Sequence, residues 1–92
     1  MKFLIKYTSI FKKDLKHAKK QGKDLGKLFG VIEKLANNQP LDKRFLDHEL
    51  TGNFKDKREC HVESNWLLIY KIDIRLLVLM LYRIGTHSEL FK

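Results

Sequence analysis

The chain has 92 residues, of which 43% are hydrophobic and 33% charged, as is typical of one small soluble domain. The single cysteine, Cys60, cannot form an internal disulfide, which excludes a disulfide-stabilised scaffold and fits a reducing compartment such as the cytoplasm. The longest apolar run, residues 76–82, is far shorter than the roughly 20 residues that a bilayer span needs. Lys6 and Tyr7 interrupt the apolar run near the start, so we expect neither a membrane helix nor a signal peptide.

The positive charge is concentrated in the first third of the chain. The net charge is +8, and residues 1–34 contribute ten lysines against three acids, whereas residues 35–92 are nearly balanced. A basic surface of this kind attracts polyanions, of which nucleic acids are the commonest. The alternative is a solvated helix face that only keeps the protein soluble. The four lysines that we assign to an RNA-binding surface are Lys12, Lys13, Lys16 and Lys20.

The predicted elements follow in chain order. Residues 2–7 alternate in hydropathy and predict a strand, and Thr8 or Ser9 can cap a helix over residues 9–21 that ends at Gly22. Asp24 can cap a second helix over residues 25–37. The period then changes to two, which predicts strands over 49–54, 57–63, 66–72 and 75–84. We expect the last strand to be central and covered on both faces, and the tail, residues 85–92, to form no element of its own.

Three histidines in the second half of the chain are candidates for proton transfer. Imidazole titrates near neutral pH, so two of the residues His48, His61 and His87 can serve as general base and general acid. Each of them could instead be an ordinary structural histidine. His17 is assigned to the solvated face of the first helix. The histidines and Cys60 lack the paired spacing of a structural zinc site, so we expect no metal.

Basic and aromatic residues near the histidines are candidates for holding RNA. A fixed cation stabilises the charge that builds on phosphorus during cleavage of a phosphodiester. The candidates for this task are Arg58, Arg83, Lys55 and Lys57. Phe91, if exposed, offers a stacking surface for a base, although it could instead anchor the tail to the core.

The second half of the chain resembles the YafQ branch of the RelE/ParE toxin superfamily. The resemblance rests on motifs that read Asp47-His48-x-Leu50-x-Gly52, Arg58-x-x-His61-Val62, Trp66-x-Leu68-Ile69-Tyr70 and Gly85-Thr86-His87-x-x-Leu90-Phe91. Length and basic charge match as well, so the resemblance covers residues 1–92 as a single toxin domain. It implies an α+β fold with the RelE-like order β-α-α-β-β-β, in which a helical hairpin packs on one face of a mostly antiparallel sheet.

The resemblance also implies a function and a set of partners. Proteins of this kind are toxins of bacterial type II toxin–antitoxin systems that enter the ribosomal A site and cut mRNA there without a metal ion or other cofactor. A cognate antitoxin neutralises the toxin, and the complex of the two binds operator DNA. By position, the resemblance assigns catalytic roles to His48, His61, His87 and Arg83, makes Phe91 the terminal aromatic, and places Glu59 at an acidic position ahead of the second histidine.

One position departs from the pattern, because Asn65 stands where the YafQ branch has an aspartate before the tryptophan. An asparagine can hydrogen-bond to RNA but cannot accept a proton as a base. The base role therefore falls to His48 or His61. Our hypothesis makes His87 the acid, and the sequence does not decide which histidine has which role. A non-catalytic toxin that blocks the ribosome or binds DNA gyrase stays open as the alternative.

Overall fold

A five-stranded sheet forms the centre of the fold, which the computed structural model describes over residues 2–91. The elements are β1 (Leu4–Tyr7), α1 (Ser9–Lys20), α2 (Leu25–Ala36), β2 (His48–Glu49), β3 (Arg58–Glu63), β4 (Trp66–Asp73), β5 (Val78–Gly85) and α3 (His87–Leu90), with single 3₁₀ turns at Lys43–Phe45 and Gly52–Phe54. The strand order is β1-β5-β4-β3-β2, and the β1–β5 pair is parallel while the other pairs are antiparallel. The predicted α+β fold with a mostly antiparallel sheet is confirmed.

The two long helices begin and end where the sequence places their caps. The Thr8 hydroxyl accepts a hydrogen bond from the Phe11 amide, and the Asp24 carboxylate accepts one from the Lys27 amide. Gly22, with a φ of 76°, follows the last turn of α1, in the left-handed region that glycine adopts at low cost. Within residues 2–91, no helix combines the length and the apolar character that a bilayer crossing requires.

The helical hairpin packs on one face of the sheet and buries the main core there. α1 contributes Phe11 and Ala18, and α2 contributes an apolar stripe that includes Leu28, Ile32 and Leu35. The strand residues beneath them are Cys60, Val62, Trp66, Leu68, Tyr70, Leu79, Leu81 and Ile84. On the opposite face, the buried apolar side chains within residues 2–91 form one small cluster of Leu67, Ile69 and Leu90. The two faces of the sheet are therefore covered very unequally.

Three sequence-based predictions about the second half are wrong. Residues 49–54 are not one strand, because β2 ends at Glu49 and Gly52, at a φ of 67°, begins a 3₁₀ turn. The last strand begins at Val78 rather than at residue 75, and its burial alternates along its length, so it is central but not covered on both faces. The strand buried on both faces is β4, from Trp66 to Tyr70. Finally, the tail does form an element, the one-turn helix α3.

Candidate active site

The three candidate histidines lie together on the thinly covered face of the sheet. Side chains alternate along a strand, so Glu59 and His61 of β3 point away from the helical hairpin while Cys60 and Val62 point toward it. Cross-strand pairing places Glu59 beside Ile69 and His61 beside Leu67, which both belong to the small cluster on that face. The ring centroids of His48 and His61 are 6.4 Å apart, and those of His61 and His87 are 5.8 Å apart. Residues that are 39 positions apart in sequence thus share one site.

A buried carboxylate lies beneath two of these histidines. Glu59 is 3% exposed, and its Oε1 atom lies 3.4 Å from Nε2 of His48 and 3.6 Å from Nε2 of His61. Its other oxygen, Oε2, is buried and finds no hydrogen-bond partner among residues 2–91. A buried ionised carboxylate is costly unless cations or donors compensate it. The Oε1 atom of Glu59 is thus placed to interact with a positive charge that forms on either ring.

His48 is held in one tautomer by a backbone carbonyl. Its Nδ1 atom lies 2.6 Å from the Leu46 carbonyl oxygen, and a carbonyl can only accept, so Nδ1 carries the hydrogen that it donates. The remaining ring nitrogen, Nε2, faces Glu59 and is the atom that can take up or release a proton. The His48 side chain is 49% exposed and that of His61 only 16%, so His48 is the more accessible of the two to a substrate.

His87 is oriented in a similar way by a side chain. The Asn65 Oδ1 atom accepts a hydrogen bond from the His87 backbone amide at 3.1 Å and lies 3.1 Å from Nδ1 of the same residue. The backbone N–H of His87 can only donate, so this atom of Asn65 is the carbonyl oxygen Oδ1, which can only accept. Nδ1 of His87 therefore carries the hydrogen of the second bond. Nε2 of His87 is then free for proton transfer. Asn65, which the sequence analysis assigned to RNA binding, thus has its oxygen engaged by the protein itself.

The helix that carries His87 is anchored at its first turn. Thr86 caps α3 in a capping box, in which the Glu89 amide donates to the Thr86 hydroxyl and the Thr86 amide donates to the Glu89 carboxylate. The backbone hydrogen bond from Thr86 is the main reason why the pKa of Glu89 lies below its ordinary value. His17 of α1 also contacts this carboxylate, at 3.1 Å. His17 is exposed, as expected for a solvated face, but it also ties α1 to the α3 turn.

The predicted cations are distributed around the site rather than gathered in it. The Arg83 guanidinium donates to both carboxylate oxygens of Asp14 on α1, at 2.7 and 3.1 Å, and this hydrogen bonding raises the pKa of Arg83 above its usual range. Arg58 lies on the helix-covered side and donates to Asp47. The Lys57 amine lies 4.5 Å from the centre of the Tyr82 ring. Exposed lysines away from the histidines are Lys55 and, on α1, Lys12, Lys13, Lys16 and Lys20.

Aromatic residues border the histidines on one side. Phe91 is 42% exposed, and its ring centroid lies 6.1 Å from His87 and 5.6 Å from Phe54 in an edge-on arrangement. Phe91 therefore combines an open surface with a fixed neighbour, as a stacking platform requires. Phe54 and Asp14 carried no signal in the sequence, and Asp47 and Tyr70 appeared there only as members of motifs, without a role. A local signal existed only for the turn of α3, where Thr86-x-x-Glu89 spells a capping box.

Three of the site residues have the geometry of a metal-binding group. Glu59, His61 and His87 can each offer one ligand atom, and these atoms lie within 4.8 Å of one another. Imidazole nitrogens with a carboxylate oxygen suit divalent transition metals such as zinc. The arrangement can thus transfer protons or, with the same atoms, bind an ion.

Comparisons with known proteins extend over nearly the whole chain. The family described as "Bacterial toxin of type II toxin-antitoxin system, YafQ" matches residues 3–92. The mRNA interferase toxin YafQ of Escherichia coli K12 is 43% identical over 88 residues, which cover 95% of this chain and 94% of the relative. The putative toxin YafQ of Haemophilus influenzae is 30% identical over 92% of this chain and 88% of its own. The endoribonuclease predicted from the sequence agrees with these matches.

Solved structures of related toxins also match this chain over nearly its whole length. The toxin in the crystal structure of the E. coli DinJ-YafQ toxin-antitoxin complex superposes with a TM-score of 0.90 at 40% identity, covering 100% of both chains. A metal-bound toxin from Helicobacter pylori superposes with a TM-score of 0.91 at 45% identity, covering 99% of this chain and 100% of the other. The family resemblance read from the motifs is confirmed.

Proposed function

Because the chain belongs to the YafQ family of toxins of bacterial type II toxin–antitoxin systems, we propose that it is a ribosome-dependent endoribonuclease. It cuts mRNA in the ribosomal A site and thereby inhibits translation. The observation that carries this proposal is the meeting of His48, His61 and His87 around the buried carboxylate of Glu59. A protein that only binds RNA needs no such set of oriented proton-transfer groups.

The chemistry follows from the free nitrogen of each histidine. Nε2 of His48 removes the proton from the ribose 2′-hydroxyl, whose oxygen then attacks the adjacent phosphorus. The imidazolium formed on His48 is stabilised by Glu59, which lies 3.4 Å from that nitrogen. Nε2 of His87 donates a proton to the departing 5′-oxygen, which leaves a 2′,3′-cyclic phosphate and a 5′-hydroxyl. His61, less exposed and also facing Glu59, lies between His48 and His87, where its ring can hydrogen-bond to the phosphate.

The surrounding residues hold the substrate. Phe91 stacks on a base beside His87, and the Asn65 amide group, whose oxygen orients His87, offers its N–H donors to the RNA. Arg83 supplies a cation, although Asp14 compensates part of its charge and keeps it in place. The exposed lysines of α1, with Lys55, Lys57 and Arg58, attract RNA phosphates through their summed charge.

The partners follow from the same proposal. The E. coli relative has been crystallised with DinJ as a toxin–antitoxin complex. This chain binds a cognate antitoxin in a hetero-oligomer, binds the 70S ribosome and mRNA when free, and contacts operator DNA only together with the antitoxin. Its place of action is the cytoplasm, where mRNA is translated.

Cleavage by these residues does not require a metal ion, although an ion can bind to them. The Helicobacter relative was solved with a bound metal, and Glu59, His61 and His87 of this chain have suitable geometry. A divalent ion on these atoms occupies His87, the proposed acid. We therefore expect a zinc-selective chelator, which leaves the Mg²⁺ of the ribosome in place, to leave cleavage unchanged, and added zinc to inhibit it.

Primer extension on an mRNA under translation in a bacterial extract tests the proposal. Wild-type protein will produce codon-phased cuts that require ribosomes, and His87→Ala will lower the cleavage rate by about 10²–10⁴-fold while the protein stays folded. His17→Ala, which changes a histidine outside the cluster and removes only an exposed contact with Glu89, is the matched control and lowers the rate far less than His87→Ala. Inhibition of translation without any cut would overturn the nuclease and favour the non-catalytic toxin.

A further inference from the structure

We propose that Asp47 and Tyr70 are positioning residues, which hold His48 beside Glu59 from the opposite face of the sheet. The inference rests on the proposed role of His48 as the general base. His48 lies on β2, a strand whose backbone makes few hydrogen bonds that could keep the side chain in place.

β2 is held to the sheet by very little backbone pairing. It consists of His48 and Glu49 only, which pair with Glu59 and Arg58 of β3, followed by one hydrogen bond from the Leu50 amide to the Lys57 carbonyl. It also forms the outer edge of the sheet. Two-residue edge pairings fray easily, because few hydrogen bonds and little burial oppose the gain in chain entropy.

The chain around β2 is irregular on both sides. Leu46, two residues before His48, has a left-handed φ of 50°, and a 3₁₀ turn begins at Gly52. Neither segment continues the ladder. Phe45 packs against the main core and Leu50 against the small cluster, so the flanks of β2 are held, but neither contact sets which way its side chains point.

Asp47 supplies a contact that sets this direction, through a buried tyrosine. The Tyr70 hydroxyl donates to Asp47 Oδ1 at 2.6 Å, and Tyr70 is 1% exposed within the core beneath the helical hairpin. Arg58 donates to the same carboxylate from Nε at 3.3 Å and from Nη2 at 3.4 Å. The bond reaches from the residue before β2 across β3 to β4, so Asp47 is bonded to a side chain of the strand that is buried on both faces.

Tyr70 and Arg58, the two donors to Asp47, both keep their protons at physiological pH. Burial, followed by the hydrogen bond to Asp47, raises the pKa of Tyr70 well above its ordinary value, so the hydroxyl remains a donor at physiological pH. For Arg58, burial alone would lower the pKa, but the bond and charge of Asp47 raise it above the usual value. Both donors are thus always available to the carboxylate.

Because side chains alternate between the two faces along an extended chain, fixing Asp47 on one face also fixes the face to which His48 points. Asp47 bonds to Tyr70 on the helix-covered face, so the next residue, His48, points to the opposite face, where Glu59 lies. The Leu46 carbonyl then fixes the rotation of the ring through Nδ1. Together the two contacts set both the face and the angle of the imidazole.

Tyr70→Phe tests this role, because it removes one oxygen and retains the ring in the core. We expect kcat for mRNA cleavage to fall roughly 10- to 100-fold while KM changes less than about twofold, since a misplaced base affects the reaction more than binding. We also expect the Leu50 amide to exchange with deuterium several times faster. Tyr7→Phe, which changes an exposed tyrosine on β1, is the matched control and leaves both values unchanged. Asp47→Asn keeps an acceptor for Tyr70 and restores part of the lost kcat relative to Asp47→Ala.

Two results would overturn the inference. One is an unchanged exchange rate of the Leu50 amide in Tyr70→Phe, which would mean that β2 does not depend on the bond between Tyr70 and Asp47. The other is faster exchange at Leu50 with an unchanged kcat, which would mean that His48 needs no such support. The exchange measurement requires no catalysis, so it decides the first point even if wild-type protein fails to cut mRNA and the proposed nuclease is abandoned.

Discussion

The two faces of the sheet differ in what they are built to do. On the face beneath α1 and α2, nearly all the large apolar side chains of the strands are buried, and that face holds the main core. On the other face, the apolar cluster buried among the described residues consists of Leu67, Ile69 and Leu90. Beside it lie three histidines and the Glu59 carboxylate, one oxygen of which lacks a hydrogen-bond partner within residues 2–91. Stability is concentrated on one face, which leaves the other free to carry polar groups that folding alone would disfavour.

The largest effect on stability is expected from the helix-covered face. Leu68→Ala removes a fully buried side chain and leaves a cavity, so it will lower the free energy of unfolding by about 2–5 kcal/mol. Urea denaturation measures this value. Leu76→Ala, at a position that is 72% exposed, is the control and changes it by less than about 0.5 kcal/mol. A loss below that of the control would contradict the unequal division between the faces.

On the opposite face, Glu59→Gln should leave stability unchanged or raised and should lower the rate of cleavage. The amide keeps the shape of the side chain but removes a buried charge whose Oε2 atom lacks a partner, so the melting temperature will stay equal or rise. Cleavage will fall at least about tenfold, because the imidazolium that forms on His48 during proton transfer loses the carboxylate 3.4 Å away. Calorimetry and a cleavage assay measure the two effects, with Glu33→Gln on α2 as control. A clear loss of stability would show that Glu59 serves the fold.

Phe91→Ala should affect substrate binding and leave the fold intact. Loss of a stacking contact is worth roughly 1–3 kcal/mol per base, which corresponds to about 5- to 150-fold in KM for mRNA. Because Phe91 is 42% exposed, the unfolding transition should move little. Phe29→Ala, at a position that is 51% exposed on α2, provides the comparison and should leave KM unchanged. Equal KM values for the two variants would remove Phe91 from the binding surface.

The smallest effect concerns the acid stability of the α3 turn. The pKa of Glu89 in the folded protein lies below its ordinary value of 4.5, so its ionised form stabilises the fold above that value and loses this contribution as the pH falls through the lower folded value. Glu89→Gln lacks the contribution, so it will be less stable at pH 7, by under about 1 kcal/mol. Urea titrations from pH 7 to pH 3 should show the gap to wild type closing below pH 4.5. A gap independent of pH would refute this assignment.

Elements with strong local signals could be predicted from the sequence. The caps Thr8 and Asp24 and the apolar stripes of α1 and α2 all act within one or two helical turns, so they are readable without knowledge of the fold. The 49–54 segment failed because its alternating pattern competes with Gly52, which bends the chain away from the sheet. Thr86 and Glu89 spell the capping box that begins α3, but a helix of four residues is too short to show an apolar periodicity.

The site depended on contacts that no local pattern encodes. Arg83 and Asp14 are 69 residues apart, and Tyr70 and Asp47 are 23 apart, so neither pairing can be read from spacing. The resemblance supplied the histidines but not their partners. That Leu46 and Asn65 fix the hydrogens on His48 and His87 becomes visible only when the strands are assembled.

The parallel pairing of β1 with β5 has a consequence for the order in which the chain folds. Leu4 meets Val78, so the first strand must wait for a partner that is made 74 residues later. Contacts between such distant segments form slowly, because closing the intervening loop costs chain entropy before any strand hydrogen bond can offset that cost. The histidine site, which draws on residues 48 to 91, is completed in the same late stage. We therefore expect a newly made chain to lack the assembled histidine site for much of its folding, and with it the activity proposed above.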